Sequence, residues 1–146
     1  NNGRESFIYD QLMKHSEDGH PVIAAWFFSH FHQDHIGGFV DYMSGSSLTR
    51  YVTVKNVIYN FPSEQVFLTA KHSTTDMNNM RTWYSKLKPS MQEKGTTFYQ
   101  ARTGQKYYFG NAEIEILWTY EELMPFNTWV FPKFFLISFT SNAVIA

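Results

Sequence analysis

A chain of 146 residues with a net charge of −1 has room for one domain with a sizeable core, and residues 1–146 read as one domain. The near-neutral balance, without clustered Lys and Arg, speaks against a broad electrostatic footprint for nucleic acid or an anionic membrane surface. The absence of cysteine excludes disulfides and thiolate metal ligands and is compatible with a cytoplasmic setting.

Aromatic residues make up 18% of the chain, which favours strands and buried sheet faces. The opening Asn1-Asn2-Gly3-Arg4-Glu5 is polar and does not read as a signal peptide. Ser6 to His15 predicts a helix, with Phe7, Ile8, Leu12 and Met13 at helical spacing. Ser16-Glu17-Asp18-Gly19 supplies the stop, and His15 and His20 beside it read as solvent-side histidines. Pro21 to Ser29 is continuously apolar, as expected of a strand covered on both faces.

That strand delivers His30-Phe31-His32-Gln33-Asp34-His35-Ile36-Gly37-Gly38, an H-x-H-x-D-H-x-G-G pattern. Imidazole nitrogen and carboxylate oxygen are the usual ligands of zinc and similar divalent ions. A continued strand would put His30, His32 and Asp34 on one side and His35 on the other. A turn at the strand end can instead send His30 and His32 to one ion, and Asp34 and His35 to a neighbour. That arrangement suits two metals sharing a water, roughly 3.5–4 Å apart in two-metal hydrolases. Gly37 and Gly38 allow close backbone approach beside the site or tight helix–sheet packing. A helix from Gly37 to Met43 follows, stopped by Ser44-Gly45-Ser46-Ser47.

Tyr51 to Asn60 predicts a second strand, with a bend or bulge at Asn56, ended by Phe61-Pro62-Ser63-Glu64. His72 reads as a polar residue in a connector. Thr74-Thr75-Asp76 caps a helix from Met77 to Leu87, with Asp76 as the N-cap and Met80, Trp83, Tyr84 and Leu87 as its apolar stripe. Pro89 and Gly95 bracket a connector. Thr96 to Ala101 is a strand and Thr103-Gly104-Gln105-Lys106 a turn. Tyr107-Tyr108-Phe109 running into Gly110-Asn111 is a hairpin signal. Ala112 to Thr119 alternates, with Ile114, Ile116 and Trp118 opposed to Glu113, Glu115 and Leu117. Glu121 to Pro125 breaks this strand. Trp129 to Thr140 reads as a final apolar strand, demoted in part to an edge by Pro132 and too interrupted for a membrane span. The order predicts an α/β domain: a layered mixed β-sheet with flanking helices, and the histidine motif at the carboxyl end of a strand, where ligands bind in open α/β sheets.

The motif, with its lead-in Val22-Ile23-Ala24-Ala25-Trp26-Phe27-Phe28-Ser29 and its trailing Ile36-Gly37-Gly38-Phe39, resembles the metal-binding signature of the metallo-β-lactamase fold hydrolases. The branch it looks most like is that of the hydrolase domains of bacterial competence proteins. The resemblance implies a partial metallo-β-lactamase-like αβ/βα domain and a metal-dependent hydrolase, in which a metal-bound hydroxide attacks an ester, amide or phosphodiester. It implies His30, His32, Asp34 and His35 as metal ligands, with Asp34 also positioning the attacking water. Zinc, as one or two ions, is the leading cofactor, with manganese and iron as alternatives. Family members add a histidine, a bridging aspartate and a further histidine from later segments. His72 and Asp76 do not match those contexts. The chain therefore reads as an incomplete copy, similar over residues 1–128. The alternative is a catalytically incomplete metal-binding or self-associating fragment. Open sheet edges would then predict a homo-oligomer. Fold does not specify the substrate.

Overall fold

A computed structural model of the chain describes residues 4–45, 52–69, 73–119 and 136–140. Helix α1 (Arg4–Lys14) leads to two short strands, β1 (Val22–Ile23) and β2 (Trp26–Phe28). A π-helical turn (Gln33–Gly37) runs directly into α2 (Gly38–Gly45). Strands β3 (Thr53–Val54) and β4 (Asn56–Tyr59) follow, then α3 (Glu64–Thr69). Helix α4 (Thr74–Thr82) continues through a second π-helical turn (Trp83–Leu87) into α5 (Lys88–Glu93). The rest is strands: β5 (Thr97–Gln100), β6 (Lys106–Phe109), β7 (Ala112–Trp118) and β8 (Leu136–Thr140).

The chain is of the α/β class, but its strands form separate parallel and antiparallel sheets rather than one mixed sheet. β2, β4 and β5 make a parallel sheet in chain order, while β1 pairs with β3. β6, β7 and β8 form an antiparallel sheet. The alternation of side chains along β2 explains its uninterrupted apolar sequence. Trp26 and Phe28 join the large core, which includes Phe39, Met80, Trp83, Leu87 and Met91 from the helices. Phe27 lies on the opposite face with Ile58, Ala101 and Ile116, against Tyr107 and Phe109 of the antiparallel sheet. The parallel sheet is thus covered by helices on one side and by a second sheet on the other.

Several expectations are corrected by this packing. Pro21–Ser29 is two strands rather than one, and its first part is not covered on both faces, since Val22 is 54% exposed. The break at Ala24-Ala25 is matched by one at Lys55. There the Asn56 side chain donates to the Ala24 carbonyl at 2.7 Å, occupying an acceptor that a continuous ladder would use. The expected strand Tyr51–Asn60 is split at the same place, and Tyr51 lies outside the described residues. Phe7 is 63% exposed rather than part of the core stripe of α1. Gly19 adopts a φ of 75° as a turn glycine, although α1 has already ended at Lys14. Helix α3 is not among the elements that the sequence predicts.

The helix expected to stop before Pro89 runs on to Glu93. Proline removes an amide donor, yet the π turn rewinds the helix just before it, with the Lys88 amide bonding to the Trp83 carbonyl. The apolar line Trp83, Leu87, Met91 is buried across the junction, and that burial favours a continued helix. The N-cap is Ser73, not Asp76: Ser73 Oγ accepts from the Asp76 amide. In β7, Ile114 and Ile116 are buried as expected, but Trp118 is 40% exposed because the pairing with β8 shifts register between Ile116 and Trp118. The β6–β7 hairpin turns at Gly110, whose φ of 58° suits glycine. Of the expected strand Trp129–Thr140, Leu136–Thr140 is a strand and the earlier part lies outside the described residues, as does Glu121–Pro125. Among the described residues no helix is long and apolar enough to cross a membrane.

Tyr42 of α2 is fully buried, and its hydroxyl has no hydrogen-bond partner among the described residues. Burial, with a smaller contribution from Tyr9, pushes its pKa up to about 12. The folded state therefore holds this proton more tightly than the unfolded chain. The resulting stability is intact below the unfolded value near 10 and is lost as pH rises from there to about 12, at up to about 1.4 kcal/mol per pH unit. Tyr42→Phe removes this loss and the orphaned hydroxyl together. Urea unfolding at neutral and alkaline pH should show the variant at least as stable as wild type near neutrality and increasingly more stable above about pH 10.

Candidate metal centre

The histidine motif begins two residues beyond the carboxyl end of β2, after Ser29. Phe31 anchors it: this side chain is 4% exposed and packs edge-on against Phe67 at 4.5 Å between ring centroids. With Phe31 turned inward, the extended backbone places His30 and His32 on the same side, their rings 4.8 Å apart and nearly perpendicular. The π-helical turn then reverses the chain. The His32 carbonyl accepts from the amides of both His35 and Ile36 at 2.9 Å, and buried Ile36 holds the turn against the core. This reversal brings His35 back over His30, with ring centroids 3.8 Å apart.

His30, Asp34 and His35 each offer a ligand atom, and these atoms lie within 4.8 Å of one another. His35 Nε2 stands 3.5 Å from Asp34 Oδ2. His32 is outside this trio but beside it. The grouping therefore differs from the pairing of His30 with His32 and of Asp34 with His35 that spacing suggested. A strand-end turn was foreseen; its π-helical pitch, which decides which imidazoles meet, was not.

Ser29 links the two imidazoles of the trio. Its Oγ lies 3.1 Å from Nδ1 of His30 and 3.1 Å from Nδ1 of His35. A hydroxyl oxygen can accept two hydrogen bonds. In the state where both imidazoles carry their proton on Nδ1, both donate to Ser29, and each unprotonated Nε2 is the atom that can ligate a cation. This is the support that metal-ligating histidines ordinarily have on their second nitrogen. The donor set, two imidazoles and a carboxylate, fits a borderline divalent cation such as zinc, with a coordination position left for water. The Asp34 side chain is 80% exposed and that of His35 43%, so the trio opens to solvent.

Beside the trio lies an open depression of about 500 Å³. His32, Gln33, Asp34, Gly37, Gly38 and Asp41 form one side, and Ser73 and Asp76 at the start of α4 form the other. Among the described residues the lining holds three carboxylates and no Lys or Arg, a potential that attracts cations. The two glycines differ. A Cβ on Gly37 would come within 3.0 Å of Gln33 Cγ but only into ordinary contact, 3.6 Å, with Asn79 Nδ2 of α4, so what Gly37 makes room for is the Gln33 side chain. A Cβ on Gly38 would meet nothing within 4 Å.

Sequence reasoning missed Ser29 and the reach of Asp76. Asp76 Oδ1 accepts from the Gln33 amide at 2.9 Å, across 43 residues. Its local signal was legible as Ser73-Thr74-Thr75-Asp76, a capping-box pattern. His72 lies outside the described residues, and His15 and His20 are exposed and not members of the trio.

No family model, curated protein or solved structure matches the chain. The likeness to the metallo-β-lactamase signature therefore rests on the sequence motif alone.

Proposed function

We propose that the chain is a divalent-metal-dependent hydrolase domain of the metallo-β-lactamase type, with His30, Asp34 and His35 as its principal ligands and His32 adjoining them. The observation that carries this reading is the convergence of those three ligand atoms within 4.8 Å at the carboxyl end of β2. A bound divalent cation supplies Lewis-acid polarisation and lowers the pKa of water toward about 7. The remaining work falls to the protein. Ser29 orients the two imidazoles by holding their Nδ1 atoms. Asp34 directs Oδ2 toward His35 Nε2, and its solvent-facing carboxylate is placed to accept a proton from an attacking water. The adjoining depression seats the substrate. With three carboxylates and, among the described residues, no Lys or Arg in its lining, it suits an ester or amide better than a phosphodiester, whose charge it would repel.

Calorimetric titration with zinc and manganese, followed by assay against generic ester, amide and phosphodiester substrates, tests the reading. The expected result is metal binding together with metal-dependent turnover, strongest on the uncharged substrates. Zinc binding without turnover on any substrate would instead identify a metal-binding domain that does not catalyse. Absence of zinc binding by the folded protein would sink the metal centre itself.

A further inference from the structure

The π-helical turn carries Asp34 and His35, yet its first amide is held from outside the motif. Asp76 Oδ1 accepts from Gln33 N at 2.9 Å, while its other oxygen, Oδ2, accepts from Ser73 Oγ at 2.6 Å. Ser73 Oγ in turn accepts from the Asp76 amide at 3.1 Å. One carboxylate thus holds the N-cap hydroxyl of α4 and grips the start of the turn. Helix α4 meets the same turn a second time at its far end, where Gly37 packs beside Asn79, so the turn is braced at both ends by one helix. Helix α4 is braced in its turn by Met80, which is 2% exposed in the core.

We infer that Asp76 is a positioning residue for the metal centre, acting through the Gln33 amide to hold the backbone from which Asp34 and His35 project. The inference rests on the metal reading of the trio for its consequence, but the clamp itself is a property of the metal-free protein. A carboxylate gripping a backbone N–H forms a charge-assisted bond, stronger than the neutral bonds of an ordinary turn. Asn79 and Gly37 contribute contact without a comparable bond, since the Asn79 Nδ2 atom is buried without a partner among the described residues. Loss of the carboxylate therefore leaves the turn packed at one end and released at the other. The ligand atoms of Asp34 and His35 would then be less well placed relative to His30, which is fixed independently by β2 and Phe31.

Three variants separate positioning from mere helix capping. Asp76→Ala removes both bonds. Asp76→Asn keeps an oxygen acceptor for the Gln33 amide. Ser73→Ala removes the cap hydroxyl and leaves the Asp76–Gln33 bond. Amide hydrogen exchange on the metal-free proteins, read at Gln33, Asp34 and His35 against the core of α4, should accelerate locally about ten-fold or more in Asp76→Ala. It should stay near wild type in Asp76→Asn and Ser73→Ala. Zinc titration should show affinity about ten-fold or more weaker in Asp76→Ala, with most of it restored in Asp76→Asn. Unchanged exchange at Gln33 in Asp76→Ala, or an equal acceleration in Ser73→Ala, would overturn the inference. Unchanged zinc affinity in Asp76→Ala would also overturn it. Wild-type protein that binds no zinc would remove the metal centre, whereas local acceleration at Gln33 in Asp76→Ala would still support the clamp.

Discussion

His30→Ala should abolish measurable zinc binding or weaken it by at least about a hundred-fold, because loss of a supporting partner alone typically costs 10–100-fold and a direct ligand costs more. His30 is the pivot of the centre: it shares Ser29 with His35, stacks against the His35 ring and faces His32. Its removal leaves Asp34 and His35 alone on the turn. His32→Ala should cost less, within about ten-fold, since His32 lies outside the converging trio. The contrast is the informative measurement. Spacing alone pairs His30 with His32 and predicts equal losses, while the folded turn predicts unequal ones. Isothermal titration of both variants, with circular dichroism to confirm folding, decides between the two arrangements. Equal losses would mean that His32 swings in to share the cation with His30.

Trp83→Ala is expected to have the largest effect on stability, about 3–5 kcal/mol by the measured range for large buried aromatic truncations. Trp83 is 0% exposed and sits where helix and sheet meet. Phe28, Tyr59, Phe61 and Phe98 all place their rings 5.5–5.7 Å from it in edge-on geometry. Phe39 of α2 adds a fifth ring at 6.2 Å. Since small domains have only about 5–15 kcal/mol of net stability, the variant should lose roughly 10 °C or more in Tm, or fail to fold. Trp83→Phe keeps a ring and eliminates an indole N–H that is buried without a partner among the described residues. It should lose much less, and thermal melts of the two variants provide the check. A loss in Trp83→Ala no greater than in Trp83→Phe would mean that the cluster closes around the space. Phe28 ends β2 just before Ser29, so this cluster also seats the strand from which the metal loop departs.

Much of the site was legible because its chemistry is concentrated in one short stretch. Three imidazoles and a carboxylate within six residues, preceded by an apolar run, point to a cation regardless of the surrounding fold. What was not legible was the partition among them. Period-two reasoning applies while the chain is extended, and it places His30 and His32 together correctly. It fails at Gln33, where a π-helical turn, rare on any prior, changes the pitch and returns His35 to His30. Asp76 was read from its local sequence as a helix cap. It belongs to a cap, but Ser73 holds the cap position and the Asp76 carboxylate has a second partner 43 residues away.

From the sequence alone came the α/β class, the strand that delivers the histidines, the turn glycines and most of the helical apolar stripes, because each is written in local periodicity or in a residue's own conformational limits. Only the tertiary structure decided the division into parallel and antiparallel sheets, the break of the first strand at Ala24-Ala25, the passage of a helix through Pro89 and the choice of which imidazoles converge. The physical reason is shared. Each depends on partners distant in the chain: a β7–β8 pairing, an Asn56 side chain on a neighbouring strand, a core in which Trp83 meets Phe28, Tyr59 and Phe98, and a carboxylate on α4. Long-range burial and long-range hydrogen bonds override local preference at those points, and no window of sequence contains both halves of such a contact.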